Sequence, residues 1–108
     1  MYVFSLEKNE RILKKGMATL ELEEKTGLGA IYLTSERLVF VGYQGAAVTT
    51  AWEAEIPLVH IGDIKEAKTF SLLPNVIEIS TIRGQRFRLI IKDRDAWKAA
   101  IEAQLEII

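Results

Sequence analysis

The 108 residues contain no cysteine. Disulfide scaffolds, thiolate metal sites and cysteine nucleophiles are therefore excluded, and the redox compartment is left open. Histidine is nearly absent too: His60 stands alone, with no second histidine for metal ligation and no nucleophile near it, so a structural role is expected. No apolar stretch approaches the roughly 20 residues needed to span a bilayer. The start (MYVFSLEKNE) has no basic region ahead of a sustained apolar run, so no signal peptide is expected and a cytoplasmic location is. An excess of one charge is also missing. The net charge is -1, and its spread is uneven: residues 1–15 hold four bases and two acids, residues 16–63 two and seven, residues 64–108 eight and six. Such balance argues against a nucleic-acid binder, which must neutralise many phosphates. No internal repeat or low-complexity tract is present.

Other chemistry is excluded on spacing. Gly27-x-Gly29 has Tyr32 where a dinucleotide loop needs its third glycine, and a strand follows it. Asp63, Asp93 and Asp95 lack the spacing of a calcium loop. Glu53 and Glu55, two apart on an expected strand, share a face; two solvent-side carboxylates are the simpler reading than an acid/base dyad. No cofactor, no metal and no catalytic residue is expected.

What the chain does have is alternation. A hydrophobic share of 49% with 27% charged residues suits a single globular domain over 1–108. Its centre is Leu28 to Tyr43, where Ile31–Thr34 and Leu38–Val41 flank the polar Thr34-Ser35-Glu36-Arg37 in the manner of a tight antiparallel hairpin. Ahead of it, Ser5–Lys15 is a short helix capped by Ser5 or an irregular lead-in, ended by Gly16. Leu20 and Leu22 alternate with Glu21 and Glu23 in a strand over Ala18–Glu24, and Lys25-Thr26-Gly27 reads as a turn. Tyr43–Thr50 is small and uncharged, a loop long for a plain connector. Trp52, Ala54 and Ile56 mark a strand that Pro57 ends. Val59–Ile64 is expected to turn into a strand over about Lys65–Phe70, and Leu72–Asn75 to turn again at Pro74. Val76–Ile82 and Gln85–Lys92 form a hairpin about Arg83-Gly84, with positive φ expected at the glycine. On its second strand Phe87, Leu89 and Ile91 share one face, and Arg86, Arg88, Ile90 and Lys92 the other. The period then changes: Trp97, Ala100, Ile101, Gln104, Leu105 and Ile108 recur at helical spacing, predicting a helix over about 93–106 with Asp93 or Asp95 as N-cap. Trp52 and Trp97 are expected as core anchors.

About seven strands and one amphipathic C-terminal helix define a mainly β barrel or sandwich capped by the helix. At this point the chain resembles the GRAM domain and the related bacterial PH-like domains of the pleckstrin-homology superfold. Gly29-Ala30-Ile31-Tyr32-Leu33-Thr34-Ser35-Glu36-Arg37-Leu38-Val39-Phe40 is similar to that family's G-x-(L/I)-Y-L-T-x-x-R-L-x-F hairpin, and Glu55-Ile56-Pro57-Leu58 through Asp63-Ile64 to its x-I-P-L-x-x-I turn. The helix entry Arg94-Asp95-Ala96-Trp97 is similar as well. The resemblance implies a non-catalytic interaction module that binds a protein partner or, weakly, anionic lipid headgroups as a peripheral membrane protein. It does not extend to the basic signature of phosphoinositide-binding PH domains: after Lys25 come Gly27–Tyr32 without a base, and Glu23 and Glu24 precede it.

Two candidate surfaces follow. By analogy with the superfold, the open barrel end gathers Lys25-Thr26-Gly27, Gln44–Thr50 and Arg83-Gly84. There Ala46, Ala47 and Val48 would enter a bilayer interface while Lys25 and Arg83 meet headgroups; the plainer reading is a loop with two solvated charges. The second is the row Arg86, Arg88 and Lys92, either a basic stripe or bases paired across strands with Glu78. Arg37 is expected to be structural, pairing with a carboxylate such as Glu36 or Asp63. Self-association as a homo-oligomer would add avidity. A second function class, a carrier of a small apolar ligand, requires a cavity between barrel and helix walled by Trp97, Ile101 and Phe87.

Overall fold

The computed structural model describes residues 4–23, 25–44, 51–69 and 73–108. Alternating apolar residues set seven antiparallel strands: β1 (Ile12–Glu21), β2 (Thr26–Thr34), β3 (Arg37–Gln44), β4 (Ala51–Pro57), β5 (Ile61–Thr69), β6 (Leu73–Thr81) and β7 (Arg86–Ile91). A single 3-10 turn, Leu58–His60, joins β4 to β5, and α1 (Arg94–Ile107) ends the chain. The strands form one sheet in the order β4-β3-β2-β1-β7-β6-β5. Ile31 and Phe40 from one half of the sheet share a buried cluster with Ile77, Phe87 and Leu89 from the other. One face can meet itself in this way only if the sheet folds over, as a seven-stranded sheet in a chain this short must.

The helix lies against this core through Trp97 and Ile101, which are 4% and 0% exposed. Its entry is held by Arg94, whose Nη1 donates to the carbonyl of Ala67 on β5 at 2.9 Å and whose Nη2 lies 3.5 Å from Glu66. Asp93 occupies the N-cap position in a left-handed conformation (φ 60°), and the carboxylate makes no capping hydrogen bond. Asp95 stands in the first turn, where the dipole favours an acid.

Several boundaries differ from the sequence reading. Ser5–Arg11 is the irregular lead-in, not a helix, and β1 begins at Ile12. Gly16 does not end that segment; it sits within β1 opposite Ile31. Its bare backbone receives Trp97: a Cβ there would lie 3.2 Å from the indole Cζ2. Thr26 and Gly27 belong to β2 rather than to a turn, the reversal being closed by Leu22 N–H donating to Lys25 O at 2.8 Å. Ile61–Ile64 is already strand, and β6 starts at Leu73, before Pro74. The hairpin about Arg83-Gly84 is as expected, with Gly84 at φ 84°. Phe87, Leu89 and Ile91 point inward and Arg86, Arg88 and Ile90 outward. Trp52 and Trp97 are both buried in the core.

Trp97 joins the helix to β1, so its loss should undock the cap without altering the sheet order. Trp97→Ala is expected to cost about 3–5 kcal/mol, measured by urea denaturation. A loss under about 1 kcal/mol would mean that the helix contributes little to the core.

Candidate functional site

The residues that the sequence marks as family-like meet at the β2–β3 turn. Thr34, fully buried, accepts hydrogen bonds from the N–H groups of Glu36 (3.0 Å) and Arg37 (2.9 Å) and donates its own hydroxyl to Glu10 Oε2 at 2.5 Å. Arg37 then grips the same carboxylate at both oxygens, Nε to Oε2 at 2.8 Å and Nη2 to Oε1 at 3.0 Å. Glu7 N–H adds a fourth donor at 2.8 Å. Arg37 also pairs with Glu55 of β4 and donates to Ser5 O at 2.8 Å. Its partners are thus Glu10 and Glu55, not the expected Glu36 or Asp63. Arg37 is structural, as expected; Glu10 was not singled out, because it lies 27 residues away in a segment without periodicity.

The charge on Glu10 is set by these donors. Arg37, then Thr34 and the Glu7 amide, hold its carboxyl down at about 2 against the opposing effect of burial. Glu10 in turn raises the pKa of Arg37. This end of the barrel is therefore a closed, self-satisfied network.

The other end is open. A groove of about 960 Å³ runs between β4 and the β5–β7 half, with Ala54 and Glu55 on one wall and Lys65, Arg83, Arg86 and Phe87 on the other. The end of β1 and the turn after it contribute Glu21 and Glu23 to its rim. Thr81 builds the β6–β7 turn that carries Arg83: its hydroxyl accepts from the N–H groups of Arg83 (3.3 Å) and Gln85 (3.1 Å), and its carbonyl from Gly84 N–H (3.0 Å).

Of the candidate residues, Arg83 and Arg86 are exposed on this groove. Neither makes an ion pair among the described residues. Arg88 also lines it, but lies between two acids, 3.1 Å from Glu21 and 3.2 Å from Glu78. The pairing with Glu78 is the one expected across β6 and β7; Glu21, opposite Arg88 on β1, is an addition. Lys25 turns back onto Trp52, its Nζ 4.4 Å from the ring centroid, a cation–π contact. Lys92 is exposed. Ala46, Ala47 and Val48 lie outside the described residues. No helix among the described residues is long and apolar enough to cross a membrane.

The interior between the sheet halves holds an apolar gap of about 10 Å³, lined by Phe87 with Leu20, Phe40, Ala54 and Leu89 among others, but not by Trp97 or Ile101. That is room for one water at most, against the several hundred Å³ of ordinary ligand pockets.

Seven antiparallel strands followed by a C-terminal helix make a PH-like fold, and solved structures share it. The C-terminal domain of an unknown protein from Leishmania infantum superposes with a TM-score of 0.74 at 22% identity, covering 91% of this chain and 86% of that one. The linker-DH/PH domains of p115-RhoGEF give 0.73 at 14% identity over 94% of this chain and 31% of theirs. The DH/PH fragment of PDZRHOGEF, solved in complex with human RhoA, gives 0.69 at 15% over 92% and 30%. The chain thus spans about a third of those exchange-factor chains, and the likeness is one of fold. No curated protein matches the chain. Residues 1–106 match the GRAM domain family, and the chain belongs to it. GRAM and PH-like domains are in general lipid- or protein-interaction modules.

Because Glu10 is held ionised by the fold, the stability that it contributes is full above about pH 4.5 and is lost as pH falls toward about 2. Glu10→Gln should lower stability at neutral pH by roughly 2–4 kcal/mol and flatten the fall in stability between about pH 5 and pH 2. Urea denaturation across that range reads both; an unchanged acid slope in the variant would remove Glu10 from the account.

Proposed function

We propose that this GRAM domain is a non-catalytic interaction module whose working surface is the groove beside β4, and that its principal partner is a protein. The observation that carries the reading is the state of the bases. Of the residues that could meet a phosphate-rich surface, Arg88 is neutralised by Glu21 and Glu78, and Lys25 is engaged with Trp52. Glu21 and Glu23 also stand on the rim. Among the described residues of the groove, Arg83 and Arg86 are the cations without an ion pair, Lys65 lying 3.9 Å from Asp63. Each is worth about 1 kcal/mol near an anionic surface. A protein segment can use the groove's mixed charge and its apolar floor together.

A second reading is kept for Arg83 and Arg86, which stand close together about Gly84 and are free among the described residues. They suit weak, peripheral contact with an anionic leaflet on the cytoplasmic side. The small-ligand carrier gains no support from an interior gap of about 10 Å³.

Co-sedimentation with neutral and with phosphatidylserine-containing vesicles, at low and at physiological salt, separates the readings. The expected result is weak binding to the anionic vesicles at low salt only, abolished by Arg83→Glu with Arg86→Glu. Tight binding that survives physiological salt would make the membrane the principal partner and overturn the protein-first reading. No binding at any salt would remove the membrane reading alone.

A further inference from the structure

The two edges of the sheet are built differently. At the β5 edge the register shifts twice, between Ile61 and Asp63 and between Ala67 and Thr69, and the exposed Lys65 and Lys68 punctuate the strand. Bulges and lysines of this kind are how a free edge is kept from pairing with another chain. The β4 edge has neither. Its register with β3 runs without a shift from Tyr43↔Ala51 to Arg37↔Pro57, it carries no lysine, and its only proline is its last residue. Every second residue of such a strand turns its N–H and C=O away from β3. On β4 that edge borders the open groove, which Ala54 and Glu55 line.

We propose that β4 is a docking edge, and that the occupant is a short extended segment of a partner protein that adds to the sheet as an eighth strand. This rests on reading the groove as a protein-binding surface, and names how the protein is held. Backbone pairing would supply the affinity and alternate side chains the selectivity.

The chemistry of the segment follows from the two faces of β4. On the inner face Trp52 and Ile56 are buried and Ala54 half-buried, and Ala54 and Phe87 line both the groove and the apolar gap behind it. Side chains of the added strand on that face are therefore small and apolar, valine or alanine in size. On the outer face Glu53 and Glu55 are both exposed. Glu55 is already shared with Arg37, whereas Glu53 makes no ion pair among the described residues. Cross-strand neighbours of opposite charge stabilise a pair, so the outer-face residues of the segment are basic. Arg83 and Arg86 on the facing wall repel those bases, which favours the orientation that sets them beside Glu53. The segment is thus extended and alternates apolar with basic residues.

The test uses the intact domain, isotopically labelled, with an acetylated peptide of about eight residues alternating lysine and valine. Expected are amide-exchange protection rising about tenfold or more at alternate residues within Ala51–Pro57, and at least tenfold weaker binding when the four central amides of the peptide are methylated. Glu53→Lys should weaken binding several-fold, and a peptide alternating glutamate and valine should bind that variant better than it binds the parent. If the methylated peptide binds as well as its parent, with shifts confined to Arg83–Arg86, strand addition is overturned while the groove remains an interaction surface. Protection on β5 instead would assign the wrong edge. If neither peptide binds, the basic–apolar occupant is overturned, and the vesicle experiment then decides separately whether the groove binds anything.

Discussion

A buried carboxylate is costly unless every lone pair is answered, and the Glu10 side chain, with no exposed surface, is answered by Arg37, Thr34 and a backbone amide. Meeting that condition organises much of the chain. The bidentate Arg37 contact fixes the guanidinium plane, which leaves its other donors aimed at Glu55 on β4 and at the backbone of Ser5. Phe4 then lies 5.3 Å from the guanidinium carbon and 4.9 Å from the ring of Tyr32. The neighbouring backbone joins in: Ser35 and Arg11 exchange hydrogen bonds, and Leu58 N–H donates to Glu36 O. Lead-in, β2–β3 turn, β4 and the 3-10 corner are tied at one place. Removing Arg37 would leave the Glu10 carboxylate buried without its counter-charge, a larger loss than the net worth of the pair.

This closure has a counterpart at the opposite side of the fold. One end of the curled sheet is sealed by an internally satisfied polar network and another by Trp97 and Ile101 of the helix. Between β4 and β5, however, the sheet does not join itself. The division between sealed and open regions is also a division of labour. Groups committed to the fold have little left for a ligand: Arg37 is held by Glu10, Glu55 and Ser5, Arg88 is paired with Glu21 and Glu78, and Lys25 covers Trp52. What stays available is the groove, with Arg83, Arg86, Glu53 and one plain strand edge.

The sequence made the fold legible and the site only in part. Alternation is a local property, so β2, β3, β4, β6, β7 and the helix could be read directly from spacing. Where the reading slipped, the deciding contact is distant. Gly16 looks like a helix end until Trp97, far along the chain, is seen to pack on it. Lys25-Thr26-Gly27 has turn composition, yet the pairing of Gly27 with Leu20 and Gln44 draws it into the sheet. Glu10 has no local mark at all. The same limit governs the site. Arg86 and Arg88 are recognisable as one basic row, but which of them is ion-paired depends on Glu78 and on Glu21, two strands away from it. Ala47 and Val48, the loop expected to enter a bilayer interface, lie outside the described residues.

The residues that make the chain resemble its family are those of the polar hub: Thr34 and Arg37 within the β2–β3 turn, with Pro57 and Leu58 leading into the corner that Glu36 holds. Their chemistry closes a barrel. Of the family-like residues only Glu55, which Arg37 also holds, lines the groove. A motif of this kind therefore transmits a fold and a general class of work, while the partner is left to residues outside it. Two domains that share the hub can differ at Glu53, Arg83 and Arg86 and still fold alike, because these side chains are exposed and the hub does not touch them. Specificity can change there without reopening the buried charge on which the rest of the sheet depends.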